Sequence, residues 1–578
     1  MRPGYSALEM TLKLPRKRWQ IAPRVSSGTL RGWPTIIVQI LQNRGITDPS
    51  EVEGFFQDDD RQILDPFAMK DIERAVDRIT EAISRQELVA IYGDFDVDGV
   101  TGAALLRDVL ASLGARTVTY IPNRAEEGYG VNKPALEYLR AQGVTLLITV
   151  DCGISSREEV AFAHGLGVDA IITDHHQVPP QVPDAVAVVN PRQEGCGYPF
   201  KELAAVGVAF KLSQALFSRL KPRDGRSASD VLESILDLVA LGTVADVAPL
   251  LGENRVLVKK GLNALNRTAR PGLRELIFTA GLRPGSLTSH SIGYILGPRL
   301  NAAGRLQDAF VSYRLLTTDS EEEARILAQE LEVTNQERQR LTADALNRAR
   351  DEIIAGGHVP NLLIVSGAEY PSGIVGLVAG KLMEEFYRPA LVVELGDEES
   401  RGSARSIAEL DITEVLSSCE DLLSRYGGHA RAAGFTIPNT NLIEFKDRLL
   451  AFMDSKFEGV ELQPSIHIDR EISFQEISWD LYHLLSSLAP FGYGNPVPTF
   501  VTRRVAVAEA RAVGRDPLHL RARLTDGRRS WNAIGFGLGE FASTLSRRFI
   551  DVVYTLEINE WNEQTSLQIN IKDMQLSC

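Results

Sequence analysis

Ile91-Tyr92-Gly93-Asp94-Phe95-Asp96-Val97-Asp98-Gly99 is the stretch on which the fold turns. A short apolar, β-branched run, Leu88–Tyr92, leads into it, and a helix-compatible stretch over 100–113 leaves it. Three carboxylates at alternate positions suggest a calcium loop of the EF-hand type, but that loop needs a bidentate Glu at its twelfth position. Counted from Asp94 the twelfth residue is Leu105, and the segment follows a strand rather than a helix. The acids therefore stand where a strand ends and a helix begins, at the end of an open α/β sheet that binds ligands.

Working outward, further apolar runs appear at Thr117–Ile121, Thr145–Val150, Ala170–Thr173 and Ala185–Val189. Helix-compatible stretches lie between most of them, such as 133–142 and 156–165. That alternation predicts a parallel sheet covered by helices on both faces. Thr145–Val150 ends in Asp151-Cys152-Gly153, Ala170–Thr173 ends in Asp174-His175-His176, and Gly242-Thr-Val-Ala-Asp246 closes another apolar stretch. Four element ends thus carry Asp or His. Carboxylates with imidazole suit Mn²⁺ or Mg²⁺. The acids outnumber the needs of one ion, as in phosphoesterases that hold two ions about 3.5–4 Å apart. His175 and His176, set between Asp174 and a loop rich in proline, read as site residues.

The 578 residues predict three or four domains of about 150 residues each. A composition of 44% apolar and 24% charged residues excludes a largely disordered chain. No apolar run approaches a membrane span, and no secretory signal is expected. Cys152, Cys196, Cys419 and Cys578 are widely spaced, which excludes a disulfide framework and a zinc finger and fits a reducing cytoplasm. The net charge of −14 argues against a nucleic-acid binder taken whole. Locally the balance reverses. Residues 1–35, with Arg16, Lys17 and Arg18, hold seven basic residues against one Glu, and residues 501–548 hold ten Arg against four acids. Any strand-binding surface must then be a local stripe on an acidic body.

Residues 201–318 read as mostly helical. Residues 319–355 contain no Gly or Pro, begin with a capping signal at Asp319-Ser320-Glu321-Glu322 and stop at Gly356-Gly357. A single helix there would span about 55 Å. Its apolar positions (Ile326, Leu327, Leu331, Leu341, Leu346) are sparse, as suits a strut between two domains. Leu362–Val365 and Ala390–Val393, with a helix over 374–386, predict a second α/β unit. From about 464, short alternating runs, an Asp526-Gly527 turn and a strand over Thr565–Ile571 predict a small β-barrel. The expected division is an N-terminal segment (1–75), a catalytic domain (76–318), a connecting helix (319–356), a second domain (357–460) and a barrel (461–578).

Asp94-x-Asp96-x-Asp98-Gly, Val150-Asp151-Cys, Asp174-His-His and Thr243-Val-Ala-Asp246 resemble the four motifs of the DHH phosphoesterase superfamily. Asn123-Arg124-Ala-Glu-Glu-Gly-Tyr-Gly130, Arg299-Leu-Asn301-Ala-Ala-Gly-Arg305, Ser372-Gly-Ile-Val-Gly376 and Gly427-Gly428-His429-Ala-Arg-Ala-Ala-Gly434 narrow the likeness to its RecJ family of single-strand-specific 5′→3′ DNA exonucleases. The likeness runs from about residue 60 to 578. It implies that Asp96, Asp98, Asp151, His175 and Asp246 hold the ions and that His176 acts on the substrate phosphate. Asp94 is an additional acid, expected in a catalytic role rather than as a direct ligand. In some members a histidine stands four residues before the first metal-binding aspartate; here that position is Tyr92.

By the same resemblance the second domain is of the substrate-binding DHHA1 type. Arg124, Ser403 and Arg405 would hold a 5′-terminal phosphate, with Arg299, Asn301 and Arg305 also binding substrate. Gly427, Gly428 and His429 read as an anion cradle, a loop whose backbone N–H groups can approach a phosphate. The barrel resembles an OB-fold, with Arg521, Arg523, Arg528, Arg529 and Trp531 as its strand-binding residues. The function implied is degradation of single-stranded DNA to 5′-mononucleotides in DNA repair and recombination, with two Mn²⁺ or Mg²⁺ ions. A helicase and a single-strand-binding protein are the candidate partners, and the cytoplasm is the expected compartment. Two alternatives stand beside it: a phosphodiesterase for short oligonucleotides or cyclic dinucleotides, and a non-catalytic replication scaffold of the Cdc45 kind.

Overall fold

The computed structural model describes residues 17–25, 32–56, 62–124, 126–561 and 564–577. Residues 1–16, with three of the seven basic residues counted above, and Cys578 lie outside the described residues. The described residues form two compact units, one within 61–462 and the other within 16–60 and 463–578.

The first unit opens on a five-stranded parallel sheet: β1 (Leu88–Gly93), β2 (Arg116–Tyr120), β3 (Val144–Val150), β4 (Asp169–Thr173) and β5 (Ala187–Val189), in the order β2-β1-β3-β4-β5. Helices cover both faces, so β1 and β3 are buried nearly throughout, as their unbroken apolar runs require. Strand order reverses between β1 and β3, and a crevice opens beyond the carboxyl ends at such a switch point. Asp94 and Asp151 are the first residues past those two strands. Helix α1 (Val97–Ser112) leaves β1, and α2 (Ala205–Arg219) and α3 (Leu236–Ala245) pack against it. A further helix, α4 (Gly297–Leu306), carries the Arg299–Arg305 motif.

The predicted connecting helix is one element, α5 (Glu321–Ala355), about 52 Å long at 1.5 Å per residue. Ser320 caps it, its side chain accepting from the Glu323 N–H. Leu327, Ala328 and Leu331 enter the core of the parallel-sheet domain, whereas Ala345, Ala349 and Ile353 enter a second core built on the following domain. Alanines make up much of this packing, which is why the apolar pattern is sparse, and Ile326 is exposed. The second domain carries β6 (Leu363–Gly367), α6 (Ser372–Phe386), β7 (Ala390–Glu394), β8 (Glu399–Arg405), β9 (Arg425–His429) and β10 (Ala432–Pro438). Its sheet order is β9-β10-β8-β7-β6, with β6 and β7 parallel and the other pairs antiparallel.

The second unit holds a five-stranded barrel of β11 (Phe500–Val513), β12 (His519–Thr525), β13 (Ser530–Gly535), β14 (Phe549–Trp561) and β15 (Gln564–Leu576). It closes through β11 and β14, and β13 pairs with β15 in parallel. The N-terminal region contributes a strand, Arg18–Ile21, parallel to Ser465–Ile468, and the Trp19 indole N–H donates to Asp573 at 2.7 Å. Sheet pairing thus ties residues 18–21 to the segment that precedes the barrel, and the Trp19 hydrogen bond ties them to the barrel itself.

Candidate active site

Each acid of the first motif is fixed by backbone. Asp96 caps α1, its carboxylate accepting from the Asp98 and Gly99 N–H groups at 2.9 and 3.1 Å. Asp98, 1% exposed, accepts from the Ala205 and Val206 N–H groups at 2.7 and 2.9 Å, at the positive end of α2. The Asn301 side chain accepts from the Val97 N–H at 3.1 Å and so braces the same turn. Asp151 sits in the left-handed region (φ 64°), an uncommon conformation for a residue with a Cβ that here turns its carboxylate across the strand ends. Gly242 lies where a Cβ would stand 2.4 Å from the Thr101 hydroxyl and 2.8 Å from an Asp98 carboxylate oxygen, so only glycine lets α3 bring Asp246 to the site.

The acids and histidines converge. Ligand-type atoms of Asp94, Asp96 and Asp151 lie within 4.8 Å of one another, as do those of Asp98, His175 and Asp246. These two sets share no residue, and His175 Nε2 stands 3.2 Å from Asp151 Oδ1 between them. Burial, and then the Asp96 charge, raise Asp98 to about 7. Burial, with Asp98 and Asp96, raises Asp246 to about 9. Burial and the neighbouring carboxylates push Asp94 and Asp151 well above the usual range. Burial, then His176, lowers His175 to about 4, leaving it neutral as a ligand must be. Asp94 Oδ1, Asp151 Oδ1 and His175 Nε2 are buried without a hydrogen-bond partner. Such a concentration of uncompensated negative charge and unpaired lone pairs fits two divalent cations.

Asp174 is the residue the sequence left without a role. It accepts from the Ile154, His175 and His176 N–H groups at 3.0, 2.7 and 3.0 Å, and lies 2.8 Å from His176 Nδ1. Burial works against its ionisation, but the His176 contacts prevail and hold it below the usual range. His176 is the counterpart: burial lowers it, but the Asp174 hydrogen bond together with the charges of Asp174, Asp246 and Asp94 outweighs burial and holds it at about 9. Its position directly before two histidines was the signal for Asp174. The α2 N–H groups that bind Asp98 are backbone and leave no side-chain signal.

On the second domain, β8 turns Ser403 and Arg405 to one face. Arg405 Nη1 donates to Ser403 Oγ and to the Ala404 carbonyl, each at 2.8 Å. A Cβ on Gly376 would lie 2.8 Å from Arg405 Nη2, so this glycine clears room for the guanidinium. The Arg305 Nη1 donates to the Gly373 carbonyl at 3.4 Å. Burial, then Arg124, Arg338 and Arg405, lower Arg305 to about 9, so these guanidiniums share one neighbourhood. Arg124 lies over the Phe95 ring, 4.9 Å from its centroid. Arg299 is turned away to Glu332 (2.6 Å) and the Ile295 carbonyl (2.8 Å).

Gly427, Gly428 and His429 do not form the expected loop; they lie in the exposed edge strand β9. Small residues at Ala432–Gly434 let a close hairpin continue through the motif, which is why a turn-rich composition became a strand. Register nevertheless aligns the motifs. His429, Ala432 and Arg405 form one row across the sheet, and Gly427, Gly434 and Ser403 another. His429 and Arg405 are thus two strands apart on one face, about 9.6 Å at 4.8 Å per strand.

On the barrel, Arg521 and Arg523 share the outward face, opposite Arg511 and Glu509 of β11. Arg528 and Arg529 lie in the turn at Asp526, whose carboxylate accepts from both of their N–H groups at 2.8 and 2.7 Å. Trp531 stands opposite Leu524 on the inward row, and its indole N–H donates to the Phe474 carbonyl at 3.2 Å. It does not continue the arginine row. Instead it helps line a cavity of about 420 Å³ together with Trp479, Arg523 and Asn532. Trp479 carried no sequence signal.

Comparison with known proteins agrees with this layout. Residues 88–243 match the DHH family, N-terminal domain; residues 360–459 match the DHHA1 domain; residues 468–573 match the RecJ OB domain. Fold and site together define a protein of the DHH/DHHA1 class. The single-stranded-DNA-specific exonuclease RecJ of Bacillus subtilis is 37% identical over 547 residues, 94% of this chain and 68% of that protein. The protein of the same name from Dickeya dadantii is 34% identical over 94% of this chain and 96% of its own length. The crystal structure of Thermus thermophilus RecJ in complex with Mn²⁺ superposes with a TM-score of 0.81 at 29% identity, over 97% of this chain and 80% of that one. The chain belongs to the RecJ family.

Proposed function

We propose that the chain is a divalent-metal-dependent exonuclease that degrades single-stranded DNA from its 5′ end to 5′-mononucleotides, in DNA repair and recombination. The observation that carries this reading is the pair of disjoint ligand sets, Asp94/Asp96/Asp151 and Asp98/His175/Asp246, in the same compact unit as guanidiniums that form no ion pair among the described residues. Relatives are named single-stranded-DNA-specific exonucleases, and a solved relative is a complex with Mn²⁺.

The two ligand sets would hold two Mn²⁺ or Mg²⁺ ions. Bound there, the ions supply a water deprotonated at neutral pH and neutralise charge developing on the scissile phosphate. Asp151, a member of the first set that lies 3.2 Å from His175 of the second, would link the two. Asp174 holds His176 by Nδ1, leaving the other ring nitrogen to donate to a substrate oxygen. At the transition state His176 stabilises charge on the phosphoryl group and the 3′-oxygen leaving group. Attack on phosphorus breaks the P–O3′ bond and frees the terminal nucleotide. The shortened strand keeps a 5′-phosphate, which suits the pocket of Arg124, Ser403 and Arg405 for the next cycle. Arg405 presents its guanidinium fork to that phosphate, with Ser403 holding it in place.

Outward Arg521 and Arg523, with Arg528, would track strand phosphates on the barrel, and bases would stack at the Trp531 cavity. A duplex must be opened before such an enzyme acts, so a helicase and a single-strand-binding protein are the partner classes, and the cytoplasm is the proposed setting. No described helix is long and apolar enough to cross a membrane.

Single-turnover digestion of end-labelled DNA and RNA strands with Mn²⁺, Mg²⁺ or EDTA tests the proposal. The expected result is metal-dependent release of 5′-mononucleotides from DNA, with a 30-mer hydrolysed in preference to a dinucleotide. Preference for the dinucleotide would make the protein a short-oligonucleotide phosphodiesterase. A protein that binds the strand but hydrolyses nothing in either metal would be a scaffold.

A further inference from the structure

Arg338 lies on α5, outside every sequence motif named above. Its placement is fixed on both sides by α4. One turn before it, the Thr334 hydroxyl meets Gln307 Oε1 at 3.1 Å, and Gln307 follows the end of α4. Three residues after it, Leu341 packs in the same core cluster as Leu306. The Arg338 side chain therefore lies over the end of α4 that carries Arg305, beside the start of α6, where Arg305 bonds the Gly373 carbonyl.

This guanidinium forms no ion pair among the described residues. Its Nε is buried without a hydrogen-bond partner. The three acids nearest to it along the helix are already engaged: Glu332 by Arg299, and Glu337 and Asp344 by Arg340. Among the described residues no carboxylate pairs with Arg124, Arg305, Arg338 or Arg405. Four cations without an ion pair stand in one neighbourhood, and of these only Arg124 and Arg305 feel the charge of Asp94 or Asp96; on a chain of net charge −14 they call for an anionic ligand. The cluster is also longer than one phosphate. Arg405 lies against Gly376, Arg305 bonds the Gly373 carbonyl nearer the start of α6, and Arg338 stands on α5 across from the end of α4 that carries Arg305.

We propose that Arg338 is a substrate-binding residue, which with Arg305 holds an internal phosphodiester of the single strand, distinct from the terminal phosphate at Ser403 and Arg405. Long side chains of this kind also cover apolar surface with their stems. The test must therefore separate binding from packing.

The inference rests on the proposed exonuclease reading, and the experiment keeps the two apart. Steady-state kinetics of the full-length protein in Mn²⁺ are measured on a 20-mer carrying a 5′-phosphate or a 5′-hydroxyl, with binding measured over a range of salt. Arg338→Gln removes the charge, Arg338→Met also keeps the apolar stem, and Arg338→Lys keeps a point charge. The expected result for Gln and Met is a KM raised about tenfold, a kcat within twofold of wild type and an unchanged 5′-phosphate to 5′-hydroxyl rate ratio. The slope of log K against log salt should be shallower by about 0.7, one phosphate on a single strand. Lys should restore the slope. Unchanged KM and slope in Gln and Met, or a loss confined to kcat, overturns the inference, as does a collapse of the 5′-phosphate ratio. If the wild-type protein itself does not hydrolyse the strand, the exonuclease reading fails instead.

Discussion

Stripped of divalent cations, the protein should lose stability as pH rises from 6.5 to 9. Asp98 is held at about 7, and Asp246 and His176 at about 9. Unfolded, the acids titrate near 3.9 and the histidine near 6.5. All three values are raised on folding. Their contribution is therefore fully present below the unfolded values and lost as pH climbs through the folded ones. Asp174, held below the usual range, finishes titrating below this window, and His175, held at about 4, opposes the loss only at its lower edge, where the unfolded histidine near 6.5 is still releasing its proton. Around pH 8 the folded protein still holds the Asp246 proton that the unfolded chain has released. That group alone costs about 1.4 kcal/mol per pH unit. His176, a third exposed, adds less in the same direction because solvent screens it. Mn²⁺ competes with these protons, so its stabilisation should grow over the same range. The assay is urea unfolding at pH 6.5, 7.5 and 8.5, in EDTA and in Mn²⁺, for wild type and Asp246→Asn. Asp246→Asn should flatten the EDTA profile by roughly 1.4 kcal/mol per unit. A wild-type EDTA profile that is level or rising, or a variant profile parallel to it, would refute the reasoning.

Gly242→Ala should destabilise the protein by about 1–3 kcal/mol, because its Cβ overpacks Thr101 and Asp98. It should also weaken Mn²⁺ binding measured by calorimetry, and wild-type values for both would show that the close approach is unimportant. Arg405→Ala should shrink the rate advantage of 5′-phosphorylated over 5′-hydroxyl strands. An undiminished advantage would take the terminal phosphate elsewhere. Deleting residues 463–578 alone would strip the partner of the strand at Arg18–Ile21, so the barrel's role is best tested by deleting 1–60 as well. The remaining unit should hydrolyse short strands yet bind long ones with a shallower salt dependence. An unchanged slope would leave the barrel a docking or structural role.

The legible part of the molecule is the part whose backbone repeats. The apolar runs at Leu88, Thr145 and Ala170 marked central strands because a parallel sheet buried on both faces needs them, and Asp94, Asp151 and Asp174 stood out as polar breaks at their ends. The connecting helix was legible from its cap and the lack of Gly and Pro, although its packing uses alanines that hydropathy barely registers. Gly427–His429 looked like a loop because glycine is weak strand material, and only pairing with Ala432–Pro438 makes it β9. The place of Arg18–Ile21 beside Ser465–Ile468 joins segments from opposite ends of the chain, which no local pattern reports. In the site, the acids and histidines were visible by type. The α2 N–H groups that bind Asp98 and the steric need at Gly242 belong to tertiary approach, so they had to be seen in three dimensions.

The central claim is that the convergent Asp and His side chains form a two-cation hydrolytic centre working from a 5′ end. It is tested most directly by digesting 5′- and 3′-labelled single-stranded DNA in Mn²⁺ with wild type and Asp151→Ala, alongside strand binding by each. The account predicts early release of the 5′ label as mononucleotide by wild type. Asp151→Ala should retain no more than a few per cent of that rate while still binding the strand. Substantial hydrolysis by Asp151→Ala, or release of the 3′ label first, would contradict it.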